Sequence, residues 1–124
     1  MTRAKIAAAA TAAVLAGIGV AATATPASAA WGGCRSGALC AYVQPNGGGD
    51  PGEVFGDNSN LRQYTKFDNV ESIWNNGNNC NVRLYEGLSR SGDSYVLSRG
   101  YATYDLYATR RDFYHDIDSN NWCV

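Results

Sequence analysis

Tyr42-Val43-Gln44-Pro45-Asn46-Gly47-Gly48-Gly49-Asp50 and Tyr85-Glu86-Gly87-Leu88-Ser89-Arg90-Ser91-Gly92-Asp93 are two versions of one device. In each, a tyrosine closing an apolar run is followed seven residues later by Gly-Asp, and the copies stand 43 residues apart. Glycines at 47 to 49 and at 92 let a hairpin take positive φ and fold over, and the tyrosine ring can lie on backbone that carries no Cβ. A second repeat follows, since Asp68-Asn69-Val70-Glu71-Ser72 aligns with His115-Asp116-Ile117-Asp118-Ser119 at an offset of 47. Each half therefore reads as strand, Gly-rich hairpin, second strand, irregular connection, and an acid-rich turn ending in Ser. A half-length of about 45 residues is too long for one hairpin and suits a four-stranded unit.

Working outward, aromatic and β-branched residues gather in short runs: Leu39 to Val43, Val54-Phe55, Ser72 to Trp74, Val82 to Tyr85, Tyr95 to Leu97, and around Trp122. Gly, Asn, Asp and Ser clusters separate them, which is the pattern of short strands joined by turns. Leu61 to Phe67 and Leu106 to Phe113 have room for a helical turn each, but no long amphipathic helix is present. The fold class is all-β, and two such units side by side bury each other's apolar faces as a two-sheet sandwich with Greek-key connections. The halves fall at about 34–78 and 79–124.

The first segment has a different character. Arg3 and Lys5 precede an uncharged run from Ile6 through Ala22, which is followed by Ala27-Ser28-Ala29. That is the order of a secretory signal peptide, predicted over 1–29 with cleavage after Ala29, and it places the single domain at 30–124 outside the cell. Removing Arg3 and Lys5 leaves eight Lys plus Arg against eleven Asp plus Glu, a net charge of about −3, which argues against nucleic-acid or anionic-membrane partners. A domain this short buries only about 60 to 65% of its unfolded surface. Four cysteines, all in the exported part, supply the missing stability as two disulfides. Of three possible pairings we select Cys34 with Cys40, which lie close along the chain around Arg35-Ser36-Gly37, leaving Cys80 with Cys123. The absence of a CxxC spacing and the single His115 make a metal reading of the cysteines poor.

Cys34-Arg35-Ser36-Gly37-Ala38-Leu39-Cys40-Ala41-Tyr42, the hairpin from Leu84-Tyr85-Glu86-Gly87 to Gly92, and Phe67-Asp68-Asn69-Val70-Glu71-Ser72 carry a family resemblance. Over Cys34 to Cys123 the chain resembles the βγ-crystallin-like secreted proteins grouped with the Streptomyces metalloproteinase inhibitor. The resemblance implies a βγ-crystallin-like sandwich and inhibition of an extracellular, metalloprotease-type target by a rigid loop held in an extended, substrate-like form, and the chain is expected to be a monomer. In the type inhibitor the reactive segment follows the strand matching Val82 to Tyr85 and is bridged by its own disulfide. Here the matching loop, Glu86 to Ser91, is short and contains no cysteine. The inhibitory candidates are therefore Gly87, Leu88, Ser89 and Arg90, with Leu88 the one apolar side chain available to an apolar protease pocket.

The same resemblance offers a calcium signature. Asp68, Asn69 and Ser72 in the first copy and Asp116 and Ser119 in the second supply the oxygen ligands a hard cation wants. Ile73 replaces the final Ser of the signature, and His115 replaces the first acid of the second copy. No other cofactor is implied. Catalysis finds no footing: neither GxSxG nor HExxH occurs, His115 is expected to be a turn residue, and nothing in the spacing of Glu53, Glu71 and Glu86 selects a carboxylate pair. The alternative to an inhibitor is a non-inhibitory crystallin-like module, either a calcium-binding structural protein or a toxin-like antagonist of other microbes.

Overall fold

The structure, a computed structural model, describes residues 30–124, so the export-signal reading of 1–29 lies outside the described residues. Among the described residues seven strands form two antiparallel sheets: β1 (Leu39–Tyr42), β2 (Gly52–Val54), β3 (Ser72–Asn75), β4 (Val82–Tyr85), β5 (Ser94–Leu97), β6 (Ala102–Thr103) and β7 (Ser119–Trp122). The first sheet runs β2-β1-β3-β6 and the second β5-β4-β7. The two places with room for a helical turn hold short helices, α1 (Thr65–Asp68) and α2 (Leu106–Thr109), with one 3-10 turn beside each. Among the described residues no helix is long and apolar enough to cross a membrane.

Two self-contained four-stranded units do not form. Strand β6 belongs to the second half but pairs with β3, setting Thr103 opposite Ile73 and Ala102 opposite Trp74. In return Asn58, from the first half, bridges Asn120 of β7. The halves thus exchange their third strands. Neither segment is long enough to show an alternating apolar pattern, so main-chain pairing rather than side-chain burial places them.

The core lies between the sheets. Strand β4 buries Val82 and Leu84, and β5 buries Tyr95 and Leu97, in the alternation of strands with one wet face. Phe67, Val70, Leu106, Phe113 and Ile117 from the irregular connections close the same cluster. All of β1 is buried, because its outward residues Cys40 and Tyr42 are covered by Trp31, Cys34 and Trp74. Burial pushes the Tyr42 hydroxyl up to about 12, with the nearby Glu53 charge adding to it, and the hydroxyl donates to the Gly32 carbonyl at 3.0 Å. The disulfides pair Cys34 with Cys40 and Cys80 with Cys123. Beside the second, the fully buried Asn75 donates to the carbonyls of Cys80 and Leu97 and accepts from Gly77 N–H, so no polar atom of its amide is orphaned.

The repeated Ser explains the repeated hairpin. Ser72 Oγ accepts from Gly47 N–H at 2.9 Å and donates to the Gln44 carbonyl at 2.7 Å. At the equivalent place Ser119 Oγ accepts from Arg90 N–H at 2.8 Å and donates to the Gly87 carbonyl at 2.6 Å. Each hydroxyl clamps its hairpin into the left-handed region, at Asn46 and Gly47 (φ 57° and 68°) and at Ser89 and Arg90 (φ 55° and 60°). Both serines are fully buried, so truncating either leaves a buried donor and acceptor without partners. Ser72→Ala and Ser119→Ala should each cost about 1–3 kcal/mol in urea unfolding. A loss below about 0.5 kcal/mol, the range of ordinary surface substitutions, would show that the clamps do not hold the hairpins.

Candidate functional site

The hairpin joining β4 to β5 is pinned at almost every backbone position. Glu86 N–H donates to the Asp93 carbonyl, Gly87 N–H to Ser91, and Ser89 N–H to Ser59 of the first half, at 3.0, 3.0 and 2.8 Å. Ser91 Oγ donates to the Leu88 carbonyl at 2.6 Å, and Ser119 holds Gly87 and Arg90 from beneath. The expected inhibitory residues Gly87, Leu88, Ser89 and Arg90 are therefore contiguous and rigidly supported. They are not, however, extended. Ser89 and Arg90 both have φ near 60°, a conformation that non-glycine residues hold only where surrounding bonds impose it. The Ser119 clamp and the Ser59 carbonyl impose it here, so the hairpin offers a folded knob rather than a substrate-like strand. Leu88 is 37% exposed on that knob, beside a mostly small and polar loop.

Acidic groups crowd the base of the hairpin. Asp118 is 1% exposed and accepts from Arg62 Nε at 3.0 Å. Asp116, two residues earlier, is pushed up to about 6, first by burial and then by the charges of Asp118 and Glu86 and a hydrogen bond shared with Asp118, with Arg62 opposing. On the outer side Glu86, Asp93 and Asp112 bring carboxylate oxygens within 4.8 Å of one another.

The residues of the calcium signature sit in two turns, one per half. Asp68 and Asn69 lie exposed at the end of α1, where the Asn69 amide donates to the Thr65 carbonyl at 2.9 Å. The hydroxyls of Ser72 and Ser119 are engaged in the hairpin clamps, and Asp116 belongs to the acidic group just described. His115 occupies a turn, as expected, at φ 58°, with its ring stacked 3.8 Å from that of Tyr114 and Nε2 3.5 Å from Glu71. Of the glutamates weighed for catalysis, Glu53 is occupied by Arg35, whose backbone N–H and guanidinium hold it below the usual carboxylate range.

One group of surface residues goes unnoticed in the sequence. Trp31, Trp74, Tyr101 and Tyr104 line a cavity of about 420 Å³ together with Gly100 and Ala102. The signal available was the tyrosine spacing of Tyr101, Tyr104 and Tyr107 within a polar stretch; the two tryptophans are remote from it in the chain.

Residues 27–97 match the description of peptidase inhibitor family I36. No curated protein matches the chain. Solved structures share its architecture. A domain from work on the evolution of the eye-lens beta-gamma-crystallin fold is 22% identical over 72% of this chain and 87% of its own, with a TM-score of 0.61. A beta-gamma-crystallin from Ciona intestinalis is 19% identical over 68% of this chain and 98% of its own, at 0.55. IPSE/alpha-1 from Schistosoma mansoni eggs is 16% identical over 73% and 88%, at 0.56. At these identities the likeness concerns the fold, which is that of the beta-gamma-crystallins.

The crowding at Asp116 has a measurable consequence. An unfolded aspartate titrates near about 3.9, whereas Asp116 in the fold is pushed up to about 6. Between those values the folded chain binds a proton that the unfolded chain does not, so stability falls as pH rises through this window. In the presence of chelator, Asp116→Asn should raise the melting midpoint at about pH 7.5, and the advantage should vanish near about pH 4. A midpoint difference independent of pH would contradict the repulsion.

Proposed function

Because the chain belongs to peptidase inhibitor family I36, we propose that its target is an extracellular protease and that the Gly87–Arg90 hairpin is the element that meets it. Family membership makes the chain a protease inhibitor and not an enzyme. Two disulfides and the signal-peptide pattern of residues 1–29 support a working place outside the cytoplasm.

The observation that carries the choice of hairpin is its preorganisation. A loop already fixed by bonds to Ser59, Ser91 and Ser119 loses little conformational freedom on docking, so more of its contact energy appears as affinity. Its folded shape suits insertion of a single apolar side chain, Leu88, into an enzyme pocket, while the clamps resist the unfolding that cleavage would require. An apolar specificity pocket of the thermolysin type is the complementary partner for that side chain.

A second reading, a calcium-stabilised crystallin-like module, is favoured by the crowding of Asp116, Asp118 and Glu86, whose mutual repulsion a divalent cation would relieve. Melting the protein with calcium and with chelator checks it, and identical midpoints would remove it.

The hairpin itself is tested by titrating the protein against a thermolysin-type and a subtilisin-type protease. Leu88→Asp should raise the inhibition constant for the metalloprotease by about tenfold to a hundredfold, the loss of one buried apolar anchor, and leave the urea midpoint unchanged. Leu88→Met should keep most of the potency. Full potency in Leu88→Asp would exclude this hairpin as the contact.

A further inference from the structure

We propose that the aromatic cavity on the outer face of the first sheet is a second binding site, for a neutral saccharide built of pyranose rings with equatorial hydroxyls. It lies apart from the hairpin proposed for the protease and rests on different residues.

The cavity is constructed rather than incidental. Trp31 has φ 61°, which a tryptophan holds only under constraint, and the constraint is visible: its N–H donates to the Gly47 carbonyl at 2.7 Å. Its ring rests against Gly47 so closely that a β-carbon there would overlap it. The Trp31 ring meets Trp74 at 6.2 Å and 64°, and Tyr104 at 5.3 Å and 81°. These rings meet edge to face, so they do not exhaust their faces by stacking on one another. Trp74 Nε1 donates to the Gly100 carbonyl at 3.2 Å, Gly100 N–H to Asn75 at 2.8 Å, and Asn75 N–H to Tyr101 at 3.0 Å. Asn46 N–H holds the Tyr104 carbonyl at 2.7 Å. The backbone under every aromatic of the cavity is thereby fixed, yet Tyr101 and Tyr104 stay 69% and 59% exposed, a large apolar area for a small domain to leave in water.

The lining selects the ligand class. No charged side chain contributes to it, so phosphates and carboxylates find no partner, and no carboxylate adds to the hold that aromatic faces alone have on a cation. Its volume of about 420 Å³ is that of a small-molecule site. Pyranose rings with equatorial hydroxyls present flat faces of polarised C–H groups that pack on electron-rich aromatic faces, and their hydroxyls can pair with the phenol groups at the rim. A proline-rich peptide would seek similar rings, but the Trp74 indole N–H is already engaged by Gly100 and could not add to the rim phenols as a donor for its carbonyls. A saccharide brings its own donors.

Cellohexaose and chitohexaose, neutral β-1,4-linked glycans, are the probes. Titrated into the purified chain with Trp122→Phe introduced to silence the third indole, at least one should change tryptophan fluorescence saturably at millimolar or lower concentration. Tyr101→Ala and Tyr104→Ala should each weaken that binding about tenfold, the worth of one aromatic contact, while protease inhibition stays as in the parent; the melting midpoint should be unchanged in Tyr101→Ala and a few degrees lower in Tyr104→Ala, which loses its edge-to-face contact with Trp31. The same titration repeated without Trp122→Phe guards against a folding defect from that change. Absence of saturable binding by both glycans overturns the proposal, as does affinity unaltered in the two tyrosine variants. Binding of a proline-rich peptide in place of the glycans would reassign the cavity to peptide recognition. Loss of protease inhibition in Tyr101→Ala without glycan binding would reassign it to the protease contact.

Discussion

The architecture depends on a buried serine hydroxyl that accepts from one backbone amide and donates to a carbonyl of the same hairpin, and does so twice. Ser72 and Ser119 each stand at the first position of the last strand of their half, so the clamp links the end of a half to its beginning. Its effect propagates. With the hairpin folded over, the amide at its tip points to a segment lent by the other half, where Asn46 N–H finds the Tyr104 carbonyl and Ser89 N–H finds Ser59. Tyr104 and Ser59 each adjoin an exchanged segment, β6 and Asn58 respectively. Clamp, folded hairpin and strand exchange are therefore one linked arrangement, and the shared core closes because each half must lend a segment to the other.

That linkage also sets what sequence reading could reach. The Tyr and Gly spacing and the Ser-ending turns were legible because each lies within a few consecutive residues and occurs twice, and they led to an all-β, two-sheet fold with the disulfide pairing that forms. The exchanged segments were illegible because β6 has two residues and the Asn58 bridge has one, too few for any periodicity. The hairpin conformation was misjudged for a different reason. Gly47 announces positive φ, but Ser89 and Arg90 carry no such mark, and only the Ser119 hydroxyl, nearly thirty residues on, imposes it. The aromatic cavity was missed because Trp31, Trp74 and the Gly100 to Tyr104 segment come from three separate places along the chain.

The two hairpins share a scaffold and differ in what covers them. In the first, Gly47 lacks a side chain and the Trp31 ring fills the space, with Tyr42, Trp74 and Tyr104 packed about it. In the second, the equivalent position is Arg90, whose side chain leaves no such seat, and the tryptophan at the same offset, Trp74, lies in β3 and packs beside Trp31 instead of over the second hairpin. Pro45 in the first copy corresponds to Leu88 in the second. The first hairpin is thus packed at Gly47, while Gln44, Pro45 and Asn46 stay exposed. The second is equally rigid, because its clamp is the same, but its surface is left to solvent.

Rigidity and exposure rarely coincide in a small domain, because exposed loops usually lack the packing that would hold them. Here the restraint comes from below, through Ser119, Ser59 and the loop's own Ser91, so the outer surface of the second hairpin carries none of the burden of holding its shape. Residues such as Leu88 can then vary with little cost to the fold, since the clamp binds backbone atoms of Gly87 and Arg90 and does not touch the Leu88 side chain. A duplicated scaffold in which one hairpin is packed at its glycine and the other is clamped from below lets the outer residues of the second change without disturbing the fold. That freedom is the physical basis of the inhibitory contact proposed for this hairpin.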